Sequence, residues 1–86
     1  MHDLYLAKEI FDLIIRYAHR NKFKKVKTVE IEIGRFQEEA HPEEVTPENL
    51  KFNLEALAKG SIVEHAKINI KKVIGQGYKL VAISGQ

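Results

Sequence analysis

The chain has no cysteine. That absence excludes disulfides, thiolate nucleophiles and every zinc or iron–sulfur site built on cysteine ligands. A long apolar run is also missing. The longest such stretch, around Ile10–Ala18, is broken by Asp12 and Arg16. Neither a secretory leader nor a membrane span is readable, and the expected location is the cytoplasm. No glycine-rich phosphate loop occurs: Gly75-Gln76-Gly77 lacks the third glycine and the following helix of a dinucleotide fingerprint, and reads as a turn. No Ser/His/Asp set and no paired acids in a cleft can be read, so an enzyme is not expected. Charge of one sign is scarce too. Fourteen basic and twelve acidic residues leave a net charge of +2, the pattern of a mixed, solvated surface. The local exception is Arg16, His19, Arg20, Lys22, Lys24, Lys25 and Lys27. Cations there complement the dipole of a preceding helix. With only Phe23 interleaved, stacking platforms for bases are lacking, so neither nucleic acid nor a membrane is an expected partner.

What is present is enough for one small domain spanning residues 1–86. Residues 4–20 predict a helix, with Leu6, Ile10, Leu13, Ile14 and Tyr17 on one face and Asp3 as its N-cap. Residues 25–34 alternate, with Val29, Ile31 and Ile33 facing one way and Thr28, Glu30 and Glu32 the other, and Gly34 is expected to end this strand. A polar, acidic loop from Arg35 to Glu44 follows. Thr46-Pro47-Glu48 then announces a second helix with its cap, its N1 proline and its first-turn acid, and Lys59-Gly60 closes it. The last third reads as a hairpin. Lys67–Val73 and Tyr78–Ser84 are its strands, and Gly75-Gln76-Gly77 its turn. In the final strand Tyr78, Leu80 and Ala82 compete with Val81 and Ile83 for the core. The expected fold is α+β: an αβαββ two-layer domain, a three-stranded sheet with two helices on one face.

The chemistry concentrates at the first three residues. In Met1-His2-Asp3 the terminal amine, the His2 amide nitrogen and the His2 imidazole can reach one metal ion in fused small rings, and the Asp3 amide can supply a fourth in-plane nitrogen. Tetragonal nitrogen coordination suits Ni(II) or Cu(II) better than Zn(II). The plainer reading is a helix start with a histidine before its cap. Of the other histidines, His19 and His65 read as solvated surface residues, while His41 sits among acids in a loop and is a candidate extra ligand.

Met1-His2-Asp3 opening an amphipathic helix, followed by Val29-Glu30-Ile31-Glu32-Ile33-Gly34, resembles the start of the HypA/HybF family. So does Val45-Thr46-Pro47-Glu48-Asn49-Leu50-Lys51-Phe52 with the later Leu57-Ala58-Lys59-Gly60-Ser61-Ile62-Val63-Glu64-His65-Ala66. The resemblance covers nearly the whole chain in order. It implies a nickel metallochaperone for [NiFe]-hydrogenase maturation, with Met1, His2 and Asp3 as the nickel site and His2 as its essential ligand. It also implies a HypB-like nickel GTPase and the hydrogenase large subunit as partners. The family carries a zinc lobe, held by two CxxC pairs, before its last strand. Here Val73-Ile74-Gly75-Gln76-Gly77-Tyr78 stands at that place, so no zinc is expected. Asp3 replaces the family's usual Glu, and the loop from Arg35 to Val45 is longer than is usual. The alternative is a metal-free interaction module of the same fold, used for docking or homodimerisation.

Overall fold

The computed structural model describes residues 2–35 and 46–86, the first two of them by backbone alone. The elements follow in the order α1 (His2–Arg20), β1 (Val26–Arg35), α2 (Pro47–Ala58), β2 (Lys67–Gln76) and β3 (Tyr78–Gly85). The αβαββ expectation holds. The first helix begins two residues earlier than the periodicity indicated, so Asp3 lies inside α1 rather than capping it. The capping of α2 is as read: the Asn49 amide donates to Thr46 Oγ1 at 3.1 Å, and Pro47 opens the helix. The stretch 36–45, including the acidic loop and His41, lies outside the described residues.

The pairing of the strands differs from the expected hairpin. The sheet order is β2-β1-β3, with β1 in the centre, parallel to β2 and antiparallel to β3. β2 and β3 therefore do not pair with each other. The physical reason lies in β1. Val29, Ile31 and Ile33 are at most 1% exposed, and a central position shields these β-branched side chains on both flanks. To reach the far side the chain must cross the end of β1, and it does so at Gly75-Gln76-Gly77. The Gly34 amide donates to the Gly77 carbonyl at 2.7 Å, and the Gly77 amide donates to the Arg35 carbonyl at 3.0 Å. Gly34 thus does not end β1; it lies within it, under the crossing strap.

The helices cover one face of this sheet. Ala7, Ile10, Ile14 and Ala18 of α1 and Leu50, Leu54 and Ala58 of α2 join Val29, Ile31, Ile33 and Ile68 in a single buried cluster. Each buried isoleucine contributes about 1.5–3 kcal/mol relative to an exposed one. Thr28, Glu30 and Glu32 look outward. The ambiguity in β3 is resolved by a β-bulge. Glu30 pairs with Ala82 and Ile31 with Leu80, so Val81 is the extra residue between them. Side-chain parity switches there. Tyr78 and Leu80 before the bulge and Ile83 after it all pack against the core, while Val81 is 47% exposed. A second irregularity at Lys27 does the same for β1, which is why Val26 is buried out of phase with Val29.

The first helix stops in a Schellman arrangement. The Phe23 amide donates to the Ala18 carbonyl at 2.9 Å, the Lys22 amide donates to the His19 carbonyl at 3.0 Å, and Lys22 takes the left-handed conformation at φ 59°. Glycine normally fills this position, because an L side chain there costs roughly 1–2 kcal/mol. A lysine near a helix C-terminus offsets part of that, about 0.3–1 kcal/mol, through the dipole. We therefore expect Lys22→Gly to raise stability by about 0.5–1 kcal/mol in urea unfolding. A loss would mean that the charge outweighs the backbone strain.

Candidate metal centre

Nineteen residues of α1 present the line Ala7-Ile10-Ile14-Ala18 to the core and so fix the helix axis over the sheet. Leu6, Phe11 and Ile15 broaden that buried stripe to either side. The helix start projects beyond this packing: Leu4 is 48% and Tyr5 67% exposed. The first four N–H groups of an α-helix have no carbonyl acceptor within it. With α1 beginning at His2, the backbone nitrogens of residues 2 and 3 are outside its hydrogen-bond ladder. Of the residues the sequence singled out, the structure therefore places His2 and Asp3 at the first turn of α1. Met1 and His41 lie outside the described residues. His19 and His65 are exposed, at the far end of α1 and before β2, as solvated histidines. Among the described residues no three His, Cys, Asp or Glu side chains converge on a common point.

One contact that sequence reading missed steadies the N-terminal half of α1. The Tyr78 hydroxyl donates to Glu9 Oε2 at 2.8 Å, tying the helix to the first residue of β3. Burial raises the Tyr78 pKa above its ordinary value, the Glu9 carboxylate adds to the rise through the hydrogen bond and its charge, and Arg16 opposes it. The hydroxyl therefore remains protonated and donating throughout the neutral range. Its stabilising contribution is complete below pH 10 and is lost as pH rises through the raised value. Nothing in the sequence marked this pair, because the two residues are 69 positions apart and meet only through the crossover at Gly77.

Comparison with known proteins adds to this geometry. The family described as HypA, hydrogenase/urease nickel incorporation metallochaperone, matches residues 1–78. The hydrogenase maturation factor HypA of Dechloromonas aromatica is 37% identical over 78 residues, covering 91% of this chain and 64% of its own length. That of Legionella pneumophila strain Lens is 32% identical over 76 residues, covering 88% of this chain and 62% of its own. That of Methanobrevibacter smithii is 37% identical over 73 residues, covering 85% and 54%. The chain thus spans less than two thirds of the length of these curated relatives. The matched region runs from the N-terminal triplet through both helices and the parallel strand pair to Tyr78, and on that match the chain belongs to the HypA family.

Proposed function

We propose that this chain is a nickel metallochaperone that binds one Ni(II) at its N-terminus and delivers it for [NiFe]-hydrogenase maturation. The observation that carries the reading is a histidine at position 2, at the start of α1, in a chain of the HypA family. The ligands are the Met1 amine, the His2 imidazole and the backbone nitrogens of His2 and Asp3. A bare divalent cation at a helix N-terminus would oppose the positive end of the dipole. Amide coordination removes that conflict, since each in-plane amide nitrogen gives up its proton and adds a negative charge. Two such nitrogens neutralise Ni(II) as it binds. The same dipole favours their deprotonation. Exchange of the cargo is then governed by proton supply: reprotonating the amides, the amine and the imidazole releases the metal.

The proposal includes a HypB-like nickel GTPase and the hydrogenase large subunit as partners, in the cytoplasm. We read residues 1–86 as the nickel lobe alone, with β2 joined to β3 through the Gly75-Gln76-Gly77 strap where other members carry a zinc lobe. A cysteine-free chain offers no thiolate for such a lobe.

The test is calorimetric and spectroscopic titration with Ni(II) of protein bearing a free Met1 amine, beside His2→Ala. One equivalent should bind with the ligand-field absorption of planar nitrogen coordination, and His2→Ala should weaken binding at least about a hundredfold without lowering the melting temperature. Equal binding by the two proteins would discard the site. Absence of binding by either would leave the fold as a metal-free docking module.

A further inference from the structure

Read along the sequence, the basic stretch from Arg16 to Lys27 is the cationic end of one helix. The fold makes it something larger. β3 runs antiparallel to β1, pairing Val26 with Gly85, so the end of the last strand lies beside the beginning of the first. The Lys24 and Lys25 amides both donate to the Gln86 carbonyl, at 2.6 and 3.0 Å. The connection between α2 and β2 closes over the same place, where the Val26 amide donates to the Ile62 carbonyl at 2.9 Å and Thr28 pairs with Lys67. Arg20, Lys22, Lys24, Lys25 and Lys27 from one stretch are thereby joined by Lys59 and Lys67 from another. Seven cations share one end of a molecule measuring 40 × 23 × 19 Å. Between Lys24 and Lys25 on one side and Gly60, Ser61, Glu64 and His65 on the other runs an open groove. Glu64 is the one carboxylate within residues 19–27 and 59–67.

Two features make this end more than a solvated surface. Helix dipoles account for His19, Arg20 and Lys22 at the end of α1 and for Lys59 at the C-cap of α2, but not for Lys24, Lys25, Lys27 and Lys67, which stand on or beside the strands. None of the seven is paired with a carboxylate among the described residues; Arg20 lies over the Tyr17 ring, 5.4 Å from its centroid. Mutual repulsion among cations gathered at one end is unfavourable, and it is relieved by an anionic partner.

We propose that this end is a docking surface for an acidic segment of a partner protein. Protein rather than nucleic acid is favoured by the aromatic side chains. Phe23 is turned inward under Gly85, where an added Cβ would lie 3.0 Å from its ring, and Arg20 covers one face of Tyr17, which is 38% exposed. Among the residues described at this end that leaves a single, half-covered ring, short of the succession of platforms on which bases stack. The placement also separates two tasks. About 27 Å of helix lies between position 2 and Arg20, so a partner held at the basic end leaves the start of α1 uncovered.

The test uses the isotopically labelled protein with a fluorescein-tagged decaglutamate peptide, a decaglutamine peptide and a 12-base-pair DNA duplex. Decaglutamate should bind with amide shifts confined to residues 19–27, 59–67 and 84–86, and its affinity should fall about tenfold between 50 and 300 mM NaCl. The triple variant K24E/K25E/K59E, checked for an unchanged melting temperature, should lose at least about tenfold, while K8E/K51E, which alters charge elsewhere, should lose less than about threefold. Equal losses in the two variants would reduce the effect to net charge and overturn the proposal. So would tighter binding of the duplex through the same amides, which would assign the surface to nucleic acid.

Discussion

Extending the chain by three residues ahead of Met1, or acetylating the Met1 amine, should abolish nickel binding while leaving the fold unchanged. Both modifications keep His2, Asp3 and the whole of α1, and both remove the amine from the chelate. In a planar nitrogen site the amine and the His2 amide close a five-membered ring, and the His2 amide and the imidazole close a second ring sharing that nitrogen. Ligands joined this way act at a very high effective concentration, so detaching one weakens the rest together, by at least about a hundredfold. The length of the extension matters. A single added residue puts the histidine third, where an amine, two amides and an imidazole again form fused rings. Three residues push the amine out of reach. Retained tight binding in the acetylated protein would show that the metal is held by side chains instead. Calorimetry with Ni(II), with far-ultraviolet dichroism as the control for folding, decides between these outcomes.

Gly34→Ala should be strongly damaging for a single added methyl, at about 2–3 kcal/mol. A Cβ at position 34 would collide with the Gly75 carbonyl and meet the Gln76 nitrogen at 3.0 Å. These are backbone atoms, so no side chain can rotate away. Relief requires lifting the strap, which strains the two hydrogen bonds linking Gly77 to Gly34 and Arg35. For a domain of this size, total stability is on the order of 4–13 kcal/mol, so the loss would move the urea midpoint substantially. Gly60→Ala is the control. Gly60 has φ +78° with nothing within 4 Å of an added Cβ, so it meets backbone strain alone and should lose only about 1 kcal/mol. If the two variants unfold at the same midpoint, the close approach at Gly34 is not what holds the strap.

The contrast between these glycines shows what a sequence can convey. Gly60 was readable as a helix terminator because its role depends on residues beside it, and the structure places it in the left-handed region of a turn in which the Ser61 amide donates to the Ala58 carbonyl at 2.9 Å. Gly34 has the local pattern of a strand end, yet it lies within β1, because its partner is Gly75, 41 positions later, and local pattern carries no trace of a crossing. The order of the strands was hidden for a similar reason. Two alternating runs separated by a glycine turn favour a hairpin locally, and only the burial of Val29, Ile31 and Ile33 on both sides places β1 between them. The competition inside β3 had no periodic answer, since the bulge at Val81 gives both parities a share of the core. The proposed N-terminal site is visible in the sequence because its candidate ligands are consecutive. The basic end was half visible: its Arg16–Lys27 stretch is contiguous, whereas Lys59 and Lys67 join only through folding.

The bulge at Val81 also bears on the behaviour of this protein at high concentration. A three-stranded sheet ends in two open edges, and an open edge is a template for another chain. β2 carries lysines at positions 67, 71 and 72, a row of like charge that discourages stacking of copies along that side. β3 has a single charge, Lys79, amid Tyr78, Leu80, Val81, Ala82 and Ile83, and on composition alone it would be the more adhesive of the two. Its bulge bends the strand and breaks the even spacing of amides and carbonyls that an incoming strand must match. Irregular geometry thus guards one border as charge guards the other, and removing the extra residue from β3 would be the shortest route to a fibre-forming version of this chain.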